Sequence, residues 1–212
     1  MNISYDYITE YLRDTLPKSE GLLFEMEKFA AINSVPIIQK EVMCFLRTLL
    51  SVKKPKKILE IGTAIGYSAL VFSEYLQPDG KLITVEINPD CAKIARENFQ
   101  KAGEDRIKLI EGDGEDVLNN VNEKFDVVFL DANKSLYSRG LPDILRILNK
   151  GGLLIADNVL YKGMTASHDL EARRKRTIVN NLRNFLSEIC ECESLTSCIL
   201  PIGDGVSVSY VK

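Results

Sequence analysis

From Lys57 onward the chain alternates between short apolar runs and longer amphipathic stretches, and this alternation is the strongest constraint on its fold. The apolar runs predict strands at 57–61, 81–86, 107–111, 125–130, 152–156, 195–201 and 205–211. Between them, helical spacing predicts helices at 66–75, 91–102, 114–121, 138–148 and 168–190. Such alternation is typical of an α/β fold with a mostly parallel sheet and helices on both faces. The Asp204-Gly205 turn joins the last two strands and predicts that they pair antiparallel.

The first 50 residues have a different pattern, with apolar residues at helical spacing that are interrupted at Pro17 and at Ser34-Val35-Pro36. They predict a helical N-terminal extension, residues 1–50, packed on the α/β unit. Tyr5, Tyr7 and Tyr11 in this extension are interpreted as core or subunit-contact residues. We find no internal repeat or linker, so a single domain is expected over 1–212.

Composition narrows the class of protein. A net charge of −3 argues against a surface broadly coated with nucleic acid, although a local basic patch is compatible with it. The longest apolar runs fall short of the roughly 20 residues that span a bilayer, and the N-terminus lacks the features of a signal peptide. The short apolar runs predict that the protein binds no membrane, and five cysteines without a Cys-x-x-Cys motif favour reduced thiols in a cytoplasmic protein. The single histidine, His168, excludes a histidine-rich zinc site and is assigned no role.

The first predicted strand leads into a glycine loop, Gly62-Thr63-Ala64-Ile65-Gly66, and then into a helix. Glycines permit close approach of a ligand, and the free N–H groups of the helix N-terminus favour an anion such as a carboxylate. Glu86 ends the next strand, where it could accept hydrogen bonds from ribose hydroxyls, and Asp113 after the third strand could contact an adenine amino group. The alternative is an ordinary turn followed by unrelated strand-end carboxylates. Together, the three features favour a nucleoside site.

A second cluster follows two later strands. Asp131 comes directly after 125–130, with Lys134 three residues beyond it, and Asp157-Asn158 comes directly after 152–156. Because ligands collect outside the carboxyl ends of parallel strands, the three oxygen donors predict a site for a hard divalent cation. The alternatives without a metal site are that Asp157-Asn158 caps a turn and that Lys134 is a solvated surface residue.

These segments resemble the cation-dependent O-methyltransferases, which include the catechol and caffeoyl-CoA enzymes. The similar segments are 60–68, 86–90 and 157–163, and the resemblance extends from about residue 20 to the C-terminus. It implies a Rossmann-like class I methyltransferase fold with a seven-stranded sheet, S-adenosylmethionine and Mg²⁺ or a similar cation as cofactors, and a homodimer. By resemblance, the metal ligands are Asp131, Asp157 and Asn158, and the catalytic residue is Lys134. The implied cofactor contacts are Ile37, Glu60, Gly62, Gly66, Ser68, Glu86, Asp113, Gly114 and Asp131.

Shorter segments are similar to the bacterial tRNA 5-hydroxyuridine methyltransferases: 33–37, 61–68, 157–163, 171–174 and 201–205. This finer resemblance implies tRNA as a partner, with methylation of 5-hydroxyuridine at the wobble position. Chemistry permits two acceptors, because a catechol and 5-hydroxyuridine both present oxygens on neighbouring carbons to a metal. The basic run Arg173–Arg176 is either a solvated face or, with Lys162 and Lys18, a contact for tRNA phosphates. The loop 161–167 is expected to form a wall of the acceptor pocket.

Three functional hypotheses follow. The leading one is a metal-dependent O-methyltransferase that acts on tRNA, with small catechol-like or caffeoyl-CoA-like phenols as the alternative acceptors. The catechol enzymes carry a further acidic residue near their substrate, and we identify no counterpart from sequence, which disfavours a free catechol. The second hypothesis, an NAD-dependent oxidoreductase, is disfavoured because the glycine spacing departs from Gly-x-Gly-x-x-Gly. The third is a non-catalytic nucleoside-binding module.

Overall fold

A computed structural model describes residues 4–170 and 172–212 of the chain. Met1, Asn2 and Ile3 of the N-terminus, and Glu171 of the segment 171–174, lie outside the described residues. The strands form one seven-stranded sheet in the order β3-β2-β1-β4-β5-β7-β6. Their bounds are β1 Lys57–Ile61, β2 Lys81–Glu86, β3 Ile107–Glu111, β4 Phe125–Leu130, β5 Leu148–Asp157, β6 Leu195–Leu200 and β7 Val206–Val211.

The first five strands pair parallel, and β7 pairs antiparallel with both β5 and β6. The mostly parallel Rossmann-like sheet and its antiparallel C-terminal hairpin are therefore confirmed. The order reverses between β1 and β4, which are neighbours although β2 and β3 lie between them in sequence. The carboxyl ends of strands at such a switch point diverge into a crevice, and this crevice is where ligands bind in sheets of this kind.

Helices cover both faces of the sheet. Their bounds are α1 Asp6–Thr15, α2 Gly21–Asn33, α3 Lys40–Lys53, α4 Tyr67–Ser73, α5 Pro89–Ala102, α6 Gly114–Asn120, α7 Ser135–Arg139, α8 Leu141–Ile147 and α9 Arg176–Glu191. Buried residues of α2 to α5 form one core layer against the sheet, and those of α6 to α9 form the other. The strands read as near-continuous apolar runs because both of their faces are buried.

The predicted helix 138–148 is wrong in its bounds. The segment forms two helices, α7 and α8, separated at Gly140, and Leu148 already belongs to β5. Pro142 lies in the first turn of α8. Its ring would clash with the carbonyl of Ser138 in a continuous helix, and it has no N–H to donate. The break is therefore a consequence of the proline.

The predicted helix 168–190 also begins too early. Regular α-helix begins at Arg176, after a single 3₁₀ turn at Arg173–Lys175. The residues before this turn offer little apolar surface to bury, and Leu170 is 45% exposed. Tertiary burial starts with the apolar stripe of α9, whose buried members are Val179, Leu182, Phe185, Leu186 and Ile189.

The tyrosines of the N-terminal extension are not core residues, so that interpretation is wrong. Tyr5, Tyr7 and Tyr11 are 73%, 68% and 69% exposed. The alternative, that they contact a second subunit, stays a prediction. The five cysteines are free thiols. Within the described ranges, no helix is both long and apolar enough to cross a membrane.

Candidate active site

A cavity of about 700 Å³ opens at the carboxyl ends of the parallel strands. It brings together most of the residues that the sequence predicts for the site. Those that line it are Ile37, Gly62, Ser68, Glu86, Asp113, Gly114, Asp131, Lys134, Asp157 and Asn158. Glu60 and Gly66, the other two predicted cofactor contacts, do not line the cavity.

The two loop glycines are required by close packing as well as by backbone conformation. Gly62 has φ 106°, and a Cβ there would lie 2.1 Å from the carbonyl oxygen of Asp131. Gly66 has φ 86°, and its Cβ would lie 2.6 Å from the ring of Phe99. Only glycine adopts these angles readily. Gly62 therefore lets the loops after β1 and β4 touch, which brings the predicted cofactor side next to the predicted metal side.

Glu86 holds the glycine loop in place. One of its carboxylate oxygens accepts a hydrogen bond from the backbone N–H of Ala64, and the other accepts one from the N–H of Asn88, both at 2.8 Å. The carboxylate lines the cavity and can accept further bonds. Asp113 caps α6 by accepting from the N–H of Glu115 at 2.8 Å. It therefore has a structural role in addition to facing the cavity.

Glu60 is a fully buried carboxyl behind the cofactor side of the cavity. Its Oε2 accepts from the hydroxyl of Thr84, which also bonds Thr63, while Oε1 has no hydrogen-bond partner in the described part of the chain. Burial raises the pKa of Glu60 to about 7, although the nearby hydroxyls of Ser68 and Thr84 oppose the shift. Since Oε1 is buried without a hydrogen-bond partner in the described chain, the carboxyl keeps a capacity for one more polar partner.

The predicted metal side forms one cluster. The ammonium Nζ of Lys134 donates to Asp131 Oδ1 at 3.2 Å, to Asn158 Oδ1 at 3.3 Å and to the backbone oxygen of Asp157 at 3.1 Å. The Asp157 side chain is buried and accepts from the N–H of Asn158 at 2.7 Å. Asn158 has φ 57°, a left-handed conformation that asparagine tolerates better than most residues.

The donor chemistry of this cluster fits a hard divalent cation. Burial, followed by the charge of Asp131, raises the pKa of Asp157 to about 7. Two carboxylates and an amide oxygen thus meet where negative charge is poorly solvated, and hard oxygen donors of this kind suit Mg²⁺. Nowhere in residues 4–170 and 172–212 do three His, Cys, Asp or Glu side chains form a metal-binding group. In this cluster the third donor is the amide oxygen of Asn158, which is not among those four residue types.

Tyr137 completes the surroundings of Lys134 and was missed from sequence. Its buried hydroxyl accepts from Lys134 Nζ at 2.6 Å and lies 2.9 Å from the backbone oxygens of Leu130 and Asp157. Burial raises its pKa well above the usual value for a tyrosine. The one available signal was its position, three residues after Lys134, which places both on one side of a helical turn.

Asp204 is the second residue missed from sequence, where it was identified as part of a turn and of the similar segment 201–205 but was given no role in the site. It lies between β6 and β7, and its carboxylate accepts a hydrogen bond from the backbone N–H of Lys162. Burial raises its pKa, and the charge of Lys134 opposes the shift. Asp204 is therefore an acidic residue on a later loop, close enough to Lys134 and Asp157 to interact with their charges, of the kind that we did not identify from sequence.

The basic run lies beside the loop that follows Asn158. The ammonium of Lys175 is 6.0 Å from the ring centre of Tyr161, and the side chains from Arg173 to Arg176 are exposed. The loop 161–167 is held to α9 by Arg183, which donates to the carbonyl oxygens of Met164 and Thr165 at 3.0 Å. Among the described residues, the cavity wall ends at Asn158 and does not include this loop.

Comparison with known proteins identifies the family. A family model described as O-methyltransferase matches residues 17–211. A caffeoyl-CoA O-methyltransferase from Populus kitakamiensis is 32% identical, in an alignment that covers 93% of this chain and 83% of that protein. Catechol O-methyltransferase B from Danio rerio is 42% identical over 132 residues, which cover 57% of this chain and 49% of that relative, so the match spans about half its length.

Solved structures show the same fold. A methyltransferase from Podospora anserina with bound S-adenosylhomocysteine has a TM-score of 0.87 at 29% identity, over 98% of this chain and 94% of that one. An O-methyltransferase from Bacillus cereus, also in complex with S-adenosylhomocysteine, has a TM-score of 0.85 at 27% identity, over 97% of each chain. The chain therefore belongs to the O-methyltransferase family, and the predicted enzyme class, an S-adenosylmethionine-dependent O-methyltransferase, is confirmed.

Proposed function

We propose that this protein methylates one of two neighbouring oxygens of its acceptor in a cation-dependent reaction with S-adenosylmethionine. The observation that carries the proposal is the convergence of Asp131, Asp157, Asn158 and Lys134 at one end of a cavity. The other end of that cavity is built from the glycine loop and Glu86. Donor and acceptor sides thus share one crevice, as an in-line transfer requires.

The cofactor side supports S-adenosylmethionine as the methyl donor. Glu86 and Ser68, near the start of α4, both line the cavity. In this proposal the Glu86 carboxylate accepts from the ribose hydroxyls and Ser68 contacts the methionine portion. The similar proteins from Podospora anserina and Bacillus cereus were solved with S-adenosylhomocysteine, the product of this donor. The nucleoside and the methyl group would thereby be fixed relative to the acceptor.

In the reaction, a bond forms between an acceptor oxygen and the methyl carbon while the bond between that carbon and sulfur breaks, which leaves S-adenosylhomocysteine. Lys134, as the neutral amine, accepts the proton of the acceptor hydroxyl and becomes the ammonium, which its hydrogen bonds to Asp131, Asn158 and Tyr137 hold at the reacting end. A Mg²⁺ ion held by Asp131, Asp157 and Asn158 would supply positive charge that favours the deprotonated acceptor oxygen.

The cluster is tested with an Asp157→Asn variant and a matched Asp116→Asn variant at an exposed carboxylate of α6. We expect Asp157→Asn, and chelation of divalent ions from the wild-type protein, each to lower turnover by about a hundredfold or more. The Kd of S-adenosylhomocysteine should stay within about twofold, because the donor site is intact. Full turnover after chelation, with donor binding retained, would refute the cation-dependent mechanism.

We further propose 5-hydroxyuridine at the wobble position of tRNA as the acceptor, converted to 5-methoxyuridine. Its O5 hydroxyl and O4 carbonyl are on neighbouring carbons, as the metal cluster requires. The exposed arginines that begin at Arg173 lie beside the loop after Asn158, where they could contact the phosphates of an RNA loop. The experiment is mass spectrometry of tRNA nucleosides from cells that lack the protein, where unmethylated 5-hydroxyuridine should accumulate and the purified protein should methylate it.

Small catechol-like or caffeoyl-CoA-like phenols are the second candidate acceptors. The names of the relatives from Danio rerio and Populus kitakamiensis favour them, and Asp204 provides an acidic residue near the cluster. Unchanged tRNA nucleosides in the deletion strain, together with turnover of a catechol by the purified protein, would select this candidate.

A further inference from the structure

Glu27 connects the N-terminal extension to the cofactor side of the cavity. Its Oε1 accepts two hydrogen bonds, from the hydroxyl of Tyr67 at 2.6 Å and from the hydroxyl of Ser19 at 2.5 Å. Glu27 lies on α2, Ser19 on the segment before α2, and Tyr67 is the first residue of α4. One carboxylate therefore joins α2 and the segment just before it to α4, whose Tyr67 lies 40 residues further along the chain.

Both Tyr67 and the segment that follows α2 line the cavity. Tyr67 directly follows Gly66 of the glycine loop, is 5% exposed and lines the cavity. At the other end, α2 ends at Asn33 with Ser34 as its C-cap, and the next five residues, 35–39, form a wall of the same cavity. The N–H of Val35 bonds the carbonyl oxygen of Ala30, which ties this wall to the last turn of the helix. The placement of α2 therefore sets the placement of the wall.

The remaining contacts of α2 with the sheet layer are apolar. Met26 and Ala30 are buried in the core, and Leu22 and Leu23 pack against it. In the described chain, the bond from Tyr67 to Glu27 is the one side-chain hydrogen bond between α2 and the α/β unit. Apolar contact is not directional, whereas a hydrogen bond to a charged acceptor is directional and stronger than a neutral one. Glu27 can thus fix a rotation and position of α2 that its apolar face alone leaves loosely defined.

We propose that Glu27 is a positioning residue for the methyl donor: through Tyr67 it holds α2 and the wall 35–39 against the cofactor loop. This inference rests on the proposed function for the identity of the donor. Glu27 itself does not line the cavity, so it acts on the donor through Tyr67 and the wall. Loss of the connection should weaken donor binding and leave the chemical step intact.

The test compares Glu27→Ala, Tyr67→Phe and the double variant with the wild-type protein. A Glu25→Gln variant on the exposed side of α2 is the matched control, and Glu27→Gln keeps an acceptor oxygen. We expect Glu27→Ala and Tyr67→Phe each to raise the Kd of S-adenosylhomocysteine about five- to twentyfold. The double variant should show no further rise in Kd, because both side chains form the same hydrogen bond. Glu27→Gln should recover part of the affinity, and kcat at saturating donor should stay within about twofold of wild type.

Hydrogen exchange provides a readout that does not depend on the donor. The amides of Val35, Ile37, Ile38 and Gln39 should exchange faster in Glu27→Ala, while those of β1 and β4 should not. Unchanged Kd and unchanged exchange in this wall would overturn the proposal, and so would a loss of protection spread over the whole sheet. If the wild-type protein binds no S-adenosylhomocysteine, the proposed donor is wrong, and the exchange rates still decide whether Glu27 holds the wall.

Discussion

Lys134 owes its position to a buried tyrosine as much as to the acidic residues around it. The hydroxyl of Tyr137 accepts from Nζ at 2.6 Å and lies 2.9 Å from the backbone oxygens that end β4 and β5. The lysine side chain is only 11% exposed, so few other arrangements are open to it. A group that must receive a proton along one direction gains from being fixed in this way.

A Tyr137→Phe variant should therefore lower kcat by about tenfold to a hundredfold, because Lys134 loses one acceptor and becomes less well positioned. The KM for S-adenosylmethionine should change little, since Tyr137 does not line the cavity. Stability should fall by about 1–2 kcal/mol, because the buried hydroxyl donates to one of the two backbone oxygens beside it and the variant leaves that hydrogen bond unmade. Steady-state kinetics and urea unfolding measure both effects.

The matched control is Tyr75→Phe, at a partly buried ring in the opposite core layer. It removes a hydroxyl of the same kind at a position remote from Lys134, so its kinetics should match wild type. An unchanged kcat in Tyr137→Phe would mean that the acidic residues alone position the lysine.

The positions of site residues were predictable where sequence neighbours determine them. Asp131, Asp157 and Asn158 directly follow apolar runs, and parallel strands bring such residues to one edge of a sheet, where the structure places them. Tyr137 and Glu27 were not predictable in this way. An aromatic residue in a helix and a glutamate on an amphipathic helix are ordinary, and their roles depend on partners that only the tertiary fold brings near.

At the scale of elements, strands were easier to predict than helix ends. Apolar runs buried on both faces have sharp boundaries, and the bounds of β1 to β4 agree with the predicted ones. Amphipathic spacing continues through Pro142 and through the residues before Arg176, so it predicts one uninterrupted helix in each region. The backbone geometry of Pro142 breaks the first helix, and the second helix begins only at Arg176 because the residues before it bury little apolar surface. Tertiary contact, which periodicity does not report, decides such ends.

The 3₁₀ turn before α9 leads to a prediction about the acceptor. An Arg173→Ser/Arg174→Ser variant removes two exposed cations near the loop after Asn158. If these arginines contact phosphates, kcat/KM on tRNA should fall about tenfold at low salt. The slope of log K for tRNA binding against log salt concentration should become shallower by about 1.4 to 1.8. Turnover of a small phenol should not change, because it carries no phosphate backbone.

A Lys93→Ser/Lys108→Ser variant is the control, since it removes the same charge from exposed positions on α5 and β3. Equal losses in the two double variants would indicate a general effect of net charge. A tRNA activity that is insensitive to both would remove the basic run from the acceptor site.

For the whole molecule, the architecture places acidic groups deep between two apolar layers. Glu60 lies at the centre of the sheet on β1, and burial raises its pKa from an unfolded value of 4.5 to about 7, with Asp131 and Glu86 adding to the shift. Because the folded pKa is the higher one, the folded state binds the proton more tightly. The resulting stability is fully present below pH 4.5 and is lost as the pH rises through 7.

The free energy of unfolding should therefore fall between pH 5.5 and 8.5, with Glu60 contributing about 2 kcal/mol of the decrease. A Glu60→Gln variant resembles the protonated acid at every pH, so its decrease should be smaller than that of wild type by that amount. Urea unfolding of both proteins in the absence of donor and divalent ions measures the difference, and Asp157, which titrates in the same direction, contributes equally to both.

A Glu115→Gln variant at the partly buried start of α6 is the control, and its free energy of unfolding should fall with pH as that of wild type does. If Glu60→Gln and wild type lose stability in parallel, Glu60 is already ionised at pH 5.5, and hydrogen bonds from Thr84 and Ser68 outweigh its burial.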